Sequence, residues 1–180
     1  MVVAHELGLK LEVLPRPNDA EAFRRINPMG KIPALVLDDG SALFDSPVIC
    51  EYLNHVGGGK FFPGMSLWKE NNGRWKALGM HALADGIADA AVARVVEGRQ
   101  PAPNQAHIDR HMTAVESGLN ALERMTFADP PTIGEITAGC TLGYIDFRMP
   151  DLDWRASRPK LAATYAVFSQ FQSMLATAPK

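Results

Sequence analysis

The stretch from Asn27 to Leu53, NPMGKIPALVLDDGSALFDSPVICEYL, constrains the fold more than any other part of the chain. Its turn signals leave room for two short extended segments and one helix. Asn27-Pro28-Met29-Gly30 is a turn, and Lys31-Ile32 then leads through Pro33 into the apolar run to Leu37. Asp38-Asp39-Gly40 turns the chain again, and a second short strand ends at Asp45-Ser46-Pro47. Proline at the first helical position with serine before it predicts a helix start, because proline lacks an N–H that would go unpaired and serine caps another. Val48, Ile49, Tyr52, Leu53 and Val56 then recur at the spacing of a helix packed on one side. The unit is ββα. Ser46 reads in two ways. It is a cap and nothing more, or it marks a carboxylate site built from first-turn N–H groups and the positive end of the helix dipole.

Around this stretch, Met1–Gly8 reads as the end of a helix stopped by Gly8, and Leu9–Leu14 alternates like a strand closed by Pro15 and Pro17. Asn18 or Asp19 can cap a short helix to Ile26, which Asn27-Pro28 ends. Gly57-Gly58-Gly59-Lys60 is not a phosphate loop, because Phe61 stands where that loop needs Ser or Thr. With Pro63-Gly64 these glycines read as a linker, dividing the chain into residues 1–63 and 64–180. Beyond it the pattern is helical throughout. One helix runs from Met65 to Gly98, with Leu83, Ile87, Ala90 and Ala91 on one face. A second follows Asn104 to about Met125, with Ile108, Met112, Val115, Leu119 and Leu122 marking its stripe. Thr132-Ile133-Gly134-Glu135 is a capping box. It opens a helix to about Arg148 that is apolar nearly all round, as a bundle's core helix must be. A last helical stretch covers Pro159–Leu175.

Composition narrows the function. A 47% hydrophobic, 21% charged chain with a formal charge of −2 gives no reason to expect nucleic acid or an anionic membrane as partner. No run of about 18 apolar residues suggests a membrane span, so a cytoplasmic setting is expected. Cys50 and Cys140 have no metal-ligand spacing and read as buried free thiols. His107 and His111 have the spacing of a zinc pair, but Ile108 replaces the catalytic glutamate and no third ligand is evident. They read as a solvated face, and no metal is expected.

KIPALVLDDGSALFDSPVICEYL and, second, TIGEITAGCTLGYIDFR resemble the cytosolic glutathione transferases of bacterial type, and the likeness covers essentially the whole chain. It implies a thioredoxin-like α/β domain followed by an all-α helical bundle. It also implies glutathione as co-substrate, with Lys31-Ile32-Pro33 at the entry to a strand, Pro33 cis and the Ile32 backbone pairing with the peptide. Asp45 and Ser46 would hold the γ-glutamyl end. Asp85-Gly86-Ile87-Ala88-Asp89 matches a pattern of dimeric members, which implies a homodimer in which Asp89 reaches the partner's glutathione; read without the likeness, Asp89 is an exposed helix carboxylate. His81 either lines the second-substrate pocket or is a partly buried histidine with one hydrogen bond. The implied reaction is addition of the glutathione thiolate to a small electrophile. The alternative is a non-catalytic binding or regulatory protein on the same fold. Family members begin with a strand and a turn carrying the Ser, Cys or Tyr that supports the thiolate. Here the sequence opens inside the first helix, so the first strand is expected to be missing and the catalytic residue to lie before Met1. Met1 is then not the expected start of the functional polypeptide. His5 lies on the wrong part of the helix for that role.

Overall fold

The computed structural model describes residues 1–64 and 72–178. The chain divides after Phe62 into two compact units, Val2 alone counting with the second. The first holds α1 (Val2–Glu6), α2 (Ala20–Ile26), β1 (Leu35–Val36), β2 (Ala42–Leu43) and α3 (Ser46–Val56). Gly8, at φ 67°, stops the first helical turn where a side chain would be strained. Asp19 caps α2 by accepting from the Glu21 N–H at 2.9 Å. The strands β1 and β2 pair antiparallel, Leu35 with Leu43 and Val36 with Ala42. Their turn is held by the Asp39 carboxylate, which accepts from the Ser41 N–H at 2.8 Å and the Ser41 hydroxyl at 2.6 Å. Phe23, Ile49, Leu53 and Phe61 are buried in this unit.

Two expectations for this unit are corrected. Leu9–Leu14 forms no strand among the described residues: the sheet has two strands, β1 and β2, and an alternating pattern makes a strand only where a neighbouring backbone offers a ladder. Val13 and Leu14 stand exposed. The start of α3 also lies one residue earlier than expected. Asp45, extended at φ −95° and ψ −153°, takes the cap position, Ser46 is the first helical residue and Pro47 the second. The Asp45 carbonyl accepts the Ile49 N–H at 3.1 Å, while its side chain makes no capping bond.

The second unit is helical: α4 (Asn72–Gly98), α5 (Gln105–Arg124), α6 (Ile133–Arg148), α7 (Pro159–Phe168) and α8 (Gln172–Thr177). Of the helix expected over Met65–Gly98, residues 65–71 lie outside the described residues. Met80, Ala84, Ile87 and Ala91 form the buried stripe of α4, against Val115, Leu119 and Leu122 of α5 and Ala138, Leu142 and Ile145 of α6. Gly139 is required by packing, since a Cβ there would come 2.2 Å from the Phe168 ring. The Thr141 hydroxyl donates to the Ala84 carbonyl at 2.9 Å, tying α6 to α4. The expected single helix over Pro159–Leu175 is instead two, because the chain turns at Ser169–Phe171 and Phe171 is extended. Neither Cys50 nor Cys140 is in a disulfide among the described residues, and both are half-buried rather than buried.

The start of α6 carries the capping box. Glu135, 7% exposed, accepts from the Thr132 N–H at 2.8 Å, the Thr132 hydroxyl at 2.5 Å and the Ala128 N–H at 2.8 Å. Truncation would strip two backbone donors of their acceptor, each costing on the order of 1–3 kcal/mol. Glu135→Ala is therefore expected to lower stability by about 2–4 kcal/mol. Urea unfolding with an unchanged slope measures it, and a midpoint equal to the parent's would refute the assignment.

The Asp39 turn yields a second expectation. The Ser41 hydroxyl bond first, and its N–H second, hold the Asp39 carboxyl below the usual carboxylate range. A lowered folded value means the turn's stabilisation is full above the ordinary aspartate pKa and is lost as pH falls through the lowered one. Carboxyl-carbon NMR titration should place the Asp39 midpoint below that of an ordinary aspartate, and Ser41→Ala should move it back up. An ordinary midpoint in the parent would contradict the turn geometry.

Candidate functional site

Lys31, Ile32 and Pro33 precede β1, and Asp45 and Ser46 follow β2. Antiparallel pairing puts these two groups at the same end of the hairpin. The pairing thus brings all five expected residues to one edge of the first unit. Ile32 is 70% exposed, Lys31, Pro33 and Asp45 are exposed, and Ser46 is half-buried. The Ile32–Pro33 peptide bond is cis.

Asn27 positions this edge, and the sequence reading assigned it only to a turn. It is 1% exposed; its amide donates to the Lys31 carbonyl at 2.6 Å and its side-chain oxygen accepts from the Met29 N–H at 3.0 Å. The Gly30 N–H closes the same turn on the Asn27 carbonyl at 2.8 Å, with Gly30 at φ 63°. Asn27 therefore fixes the backbone that hands Ile32 to the edge. The signal that could have found it is the Asn-Pro-x-Gly order, in which an asparagine side chain bonds to the backbone two residues on. Asn54 plays a similar part behind α3, accepting the Phe61 N–H at 2.7 Å.

The opposite wall of the edge is the first turn of α3. Helical N–H groups there have no acceptor within the helix, Pro47 contributes none, and the dipole is positive at this end. An eleven-residue helix aims that field at the side chain and backbone of Ser46. The arrangement can take a carboxylate beside an extended peptide that pairs with the Ile32 backbone.

Asp89 and His81 belong to α4 in the second unit. Asp89 is exposed. His81 is buried, with Nδ1 2.7 Å from the Thr137 hydroxyl, which itself donates to the Ile133 carbonyl at 2.8 Å. A hydroxyl has one proton to give, so Nδ1 is the donor in the His81–Thr137 bond. His107 and His111 meet edge to face, ring centroids 6.3 Å apart, and the described residues hold no cluster of three or more metal-ligating side chains. His5 is exposed on α1. None of the described helices is long and apolar enough to cross a membrane.

Comparison with known proteins bears on both units. Residues 1–56 match the model of the glutathione S-transferase N-terminal domain and residues 105–163 that of the C-terminal domain. The uncharacterized GST-like protein YibF of Escherichia coli K12 is 30% identical over 183 residues, covering 97% of this chain and 89% of that protein. A glutathione S-transferase of Methylobacillus flagellatus, solved with glutathione bound, is 35% identical with a TM-score of 0.88, over 99% of this chain and 92% of that one. A glutathione transferase family member of Pseudomonas fluorescens Pf-5, also with bound glutathione, is 38% identical with a TM-score of 0.87, over 99% and 91%. The thioredoxin-like first unit and the helical second unit are the two halves of that fold. With both halves matched in order and a relative aligned along nearly the whole chain, the protein belongs to the glutathione S-transferase family.

Proposed function

We propose that the chain binds glutathione along the edge formed by Lys31, Ile32, Pro33, Asp45 and Ser46 and adds its thiolate to a small electrophile. The observation that supports this reading is the antiparallel pairing of β1 with β2, since Lys31–Pro33 precede one strand and Asp45–Ser46 follow the other at the same end of the hairpin. The Ile32 backbone pairs with the peptide, the first turn of α3 and the Ser46 hydroxyl receive the γ-glutamyl carboxylate, and Asp45 faces the α-amino group. Lys31 adds a positive charge at the exposed rim. Glutathione supplies the nucleophilic sulfur, and the chain's contribution is positioning. The group that supports the thiolate is assigned to no residue of this chain. That gap keeps a second reading open, a non-catalytic glutathione-binding or regulatory protein. Two cysteines outside any disulfide fit a reducing, cytoplasmic setting.

We also infer a homodimer built on α4. Trp75, Gly79, Ala82, Gly86, Asp89, Ala93 and Val96 alternate four and three apart, the repeat of a helix–helix seam. All but the half-buried Ala93 are exposed, while the opposite stripe carries the core. A groove of about 370 Å³ between α4 and α5, lined by Ala82, Gly86, Ser117 and Ala121 among others, runs beside this seam. Asp89, one step along the seam from its central Gly86, would reach the glutathione held by the partner subunit. His81, buried on the other side of α4, is assigned no contact with the second substrate.

Ser46→Ala should weaken glutathione binding by about 1–2 kcal/mol, roughly five- to thirtyfold, through the lost hydroxyl. Calorimetry on the folded variant reads it, and unchanged affinity would remove Ser46 from the site. For the dimer, light scattering should give about twice 19.6 kDa for the parent. Gly86→Arg should give the monomer mass without unfolding, since nothing lies within 4 Å of a Cβ there. A monomeric parent at micromolar concentration would refute the seam.

A further inference from the structure

Within the second unit a groove of about 300 Å³ lies against α6 and α7, apart from every residue assigned above to glutathione or to the dimer. Its size is at the lower end of small-molecule sites. Four aromatic side chains line it: Phe127, Tyr165, Phe168 and Phe171. The break between α7 and α8 makes part of this wall, because the turn at Ser169–Phe171 brings the Phe168 and Phe171 rings to 4.7 Å between centroids. The Tyr165 hydroxyl makes no hydrogen bond among the described residues. Burial first, and the Asp146 charge second, push its pKa up, so the group stays a neutral donor.

The charges on the groove are of one sign. Asp129 and Glu135 line it, and no lysine or arginine does. Glu135 spends its oxygens on Ala128 and Thr132. Asp129, exposed at the rim, has neither a hydrogen bond nor an ion pair among the described residues. Aromatic rings attract a cation through their negative faces, and a lone carboxylate at the rim adds a charge-assisted acceptor. An anion would meet two carboxylates, and the nearby guanidinium of Arg155, 5.5 Å from the Tyr165 ring, is already paired with Asp146.

We propose that this groove binds an organic cation with a flat apolar body, an arylalkylammonium, with its ring among Phe127, Phe168 and Phe171 and its ammonium at Asp129. The test is an amide NMR titration of the full-length protein with tryptamine, its neutral alcohol congener tryptophol, and the anion indole-3-propionate. Tryptamine should bind about tenfold more tightly than tryptophol, and the anion most weakly. Shifts should centre on Ala128, Gly139, Tyr165 and Phe168. Asp129→Asn should bring tryptamine to the affinity of tryptophol, and raised salt should weaken tryptamine alone. Thr164→Trp, at the groove wall, should abolish binding of all three while the spectrum stays dispersed. Val167→Trp, on a groove-lining residue that is 66% exposed, serves if Thr164→Trp unfolds. Absence of tryptamine shifts at millimolar concentration, shifts centred elsewhere, or a ranking untouched by Asp129→Asn would overturn the proposal.

Discussion

A single buried carboxylate organises the helical unit. Glu135 is 7% exposed, and an ionised group so placed is tolerated only when its oxygens are filled. Thr132 and Ala128 fill them with two backbone N–H groups and a hydroxyl. The same bonds fix the chain ahead of α6 and the angle at which α6 starts. That angle matters because α6 packs along α4, with Ile133, Ala138, Leu142 and Ile145 buried along its length. Where neighbours come closest, α6 has no side chain to give: a Cβ on Gly134 would meet the Ala77 carbonyl at 2.8 Å, and one on Gly139 the Phe168 ring. A small change in the starting angle would drive those contacts into overlap.

The remaining helices are held by charge placed where burial would otherwise forbid it. Arg158, 3% exposed, precedes α7 and gives its guanidinium protons to Asn120, the Trp154 carbonyl, and both the carbonyl and carboxylate of Glu116. Two turns along α5 from Glu116, Glu123 accepts the Lys160 and Leu161 N–H groups at 3.1 and 2.7 Å, a cap supplied from another helix. Those donors are first-turn amides of α7, which its own backbone cannot satisfy. Trp154, fully buried, gives its indole N–H to Asp146 at 2.8 Å, and Arg155 grips the same carboxylate with two nitrogens. Removing one partner from such a set leaves a buried group unpaired, which costs more than the bond was worth.

How much of this was legible in the sequence depended on how local its cause is. Asp19, Asn104 and Thr132 cap their helices where read, because an N-cap is decided within three residues. Gly8, the Asp39 turn and the core stripe through Val115, Leu119 and Leu122 were equally plain. The failures need information from elsewhere in the chain. Leu9–Leu14 has a strand's alternation, but a strand exists only with a ladder partner. Pro159–Leu175 keeps helical periodicity across the break at Ser169–Phe171, because Phe168 and Phe171 both face apolar neighbours whichever way the backbone runs. In the site, Lys31, Ile32, Pro33 and Asp45 were named from motif likeness, and Ser46 also from the helix start it marks. Asn27, which fixes their backbone, went unseen because its role rests on burial to 1%. The Glu116–Arg158 and Glu123–α7 ties span about forty residues, and no pattern within one helix announces them.

The two units divide the physical work unequally. The second has a continuous core from Met80 to Leu161 and many buried polar ties, so it can hold its fold without a ligand. The first rests on a two-stranded ladder, and a two-stranded hairpin is marginal in water unless something packs on it. What packs there is modest: Val3, Ala4, Phe23, Ile49, Leu53 and Phe61, with Asn27 and Asn54 satisfying the backbone around them. Lys31, Ile32, Pro33, Asp45 and Ser46 all lie on this lightly built unit, and all but Ser46 are exposed. Binding and folding are then linked. A ligand that needs the hairpin register and the α3 start together stabilises the folded unit by about 2.7 kcal/mol at a hundredfold excess over its Kd. That is a large share of what so small a core contributes, so the ligand's own contacts form part of the structural support of the site that receives it.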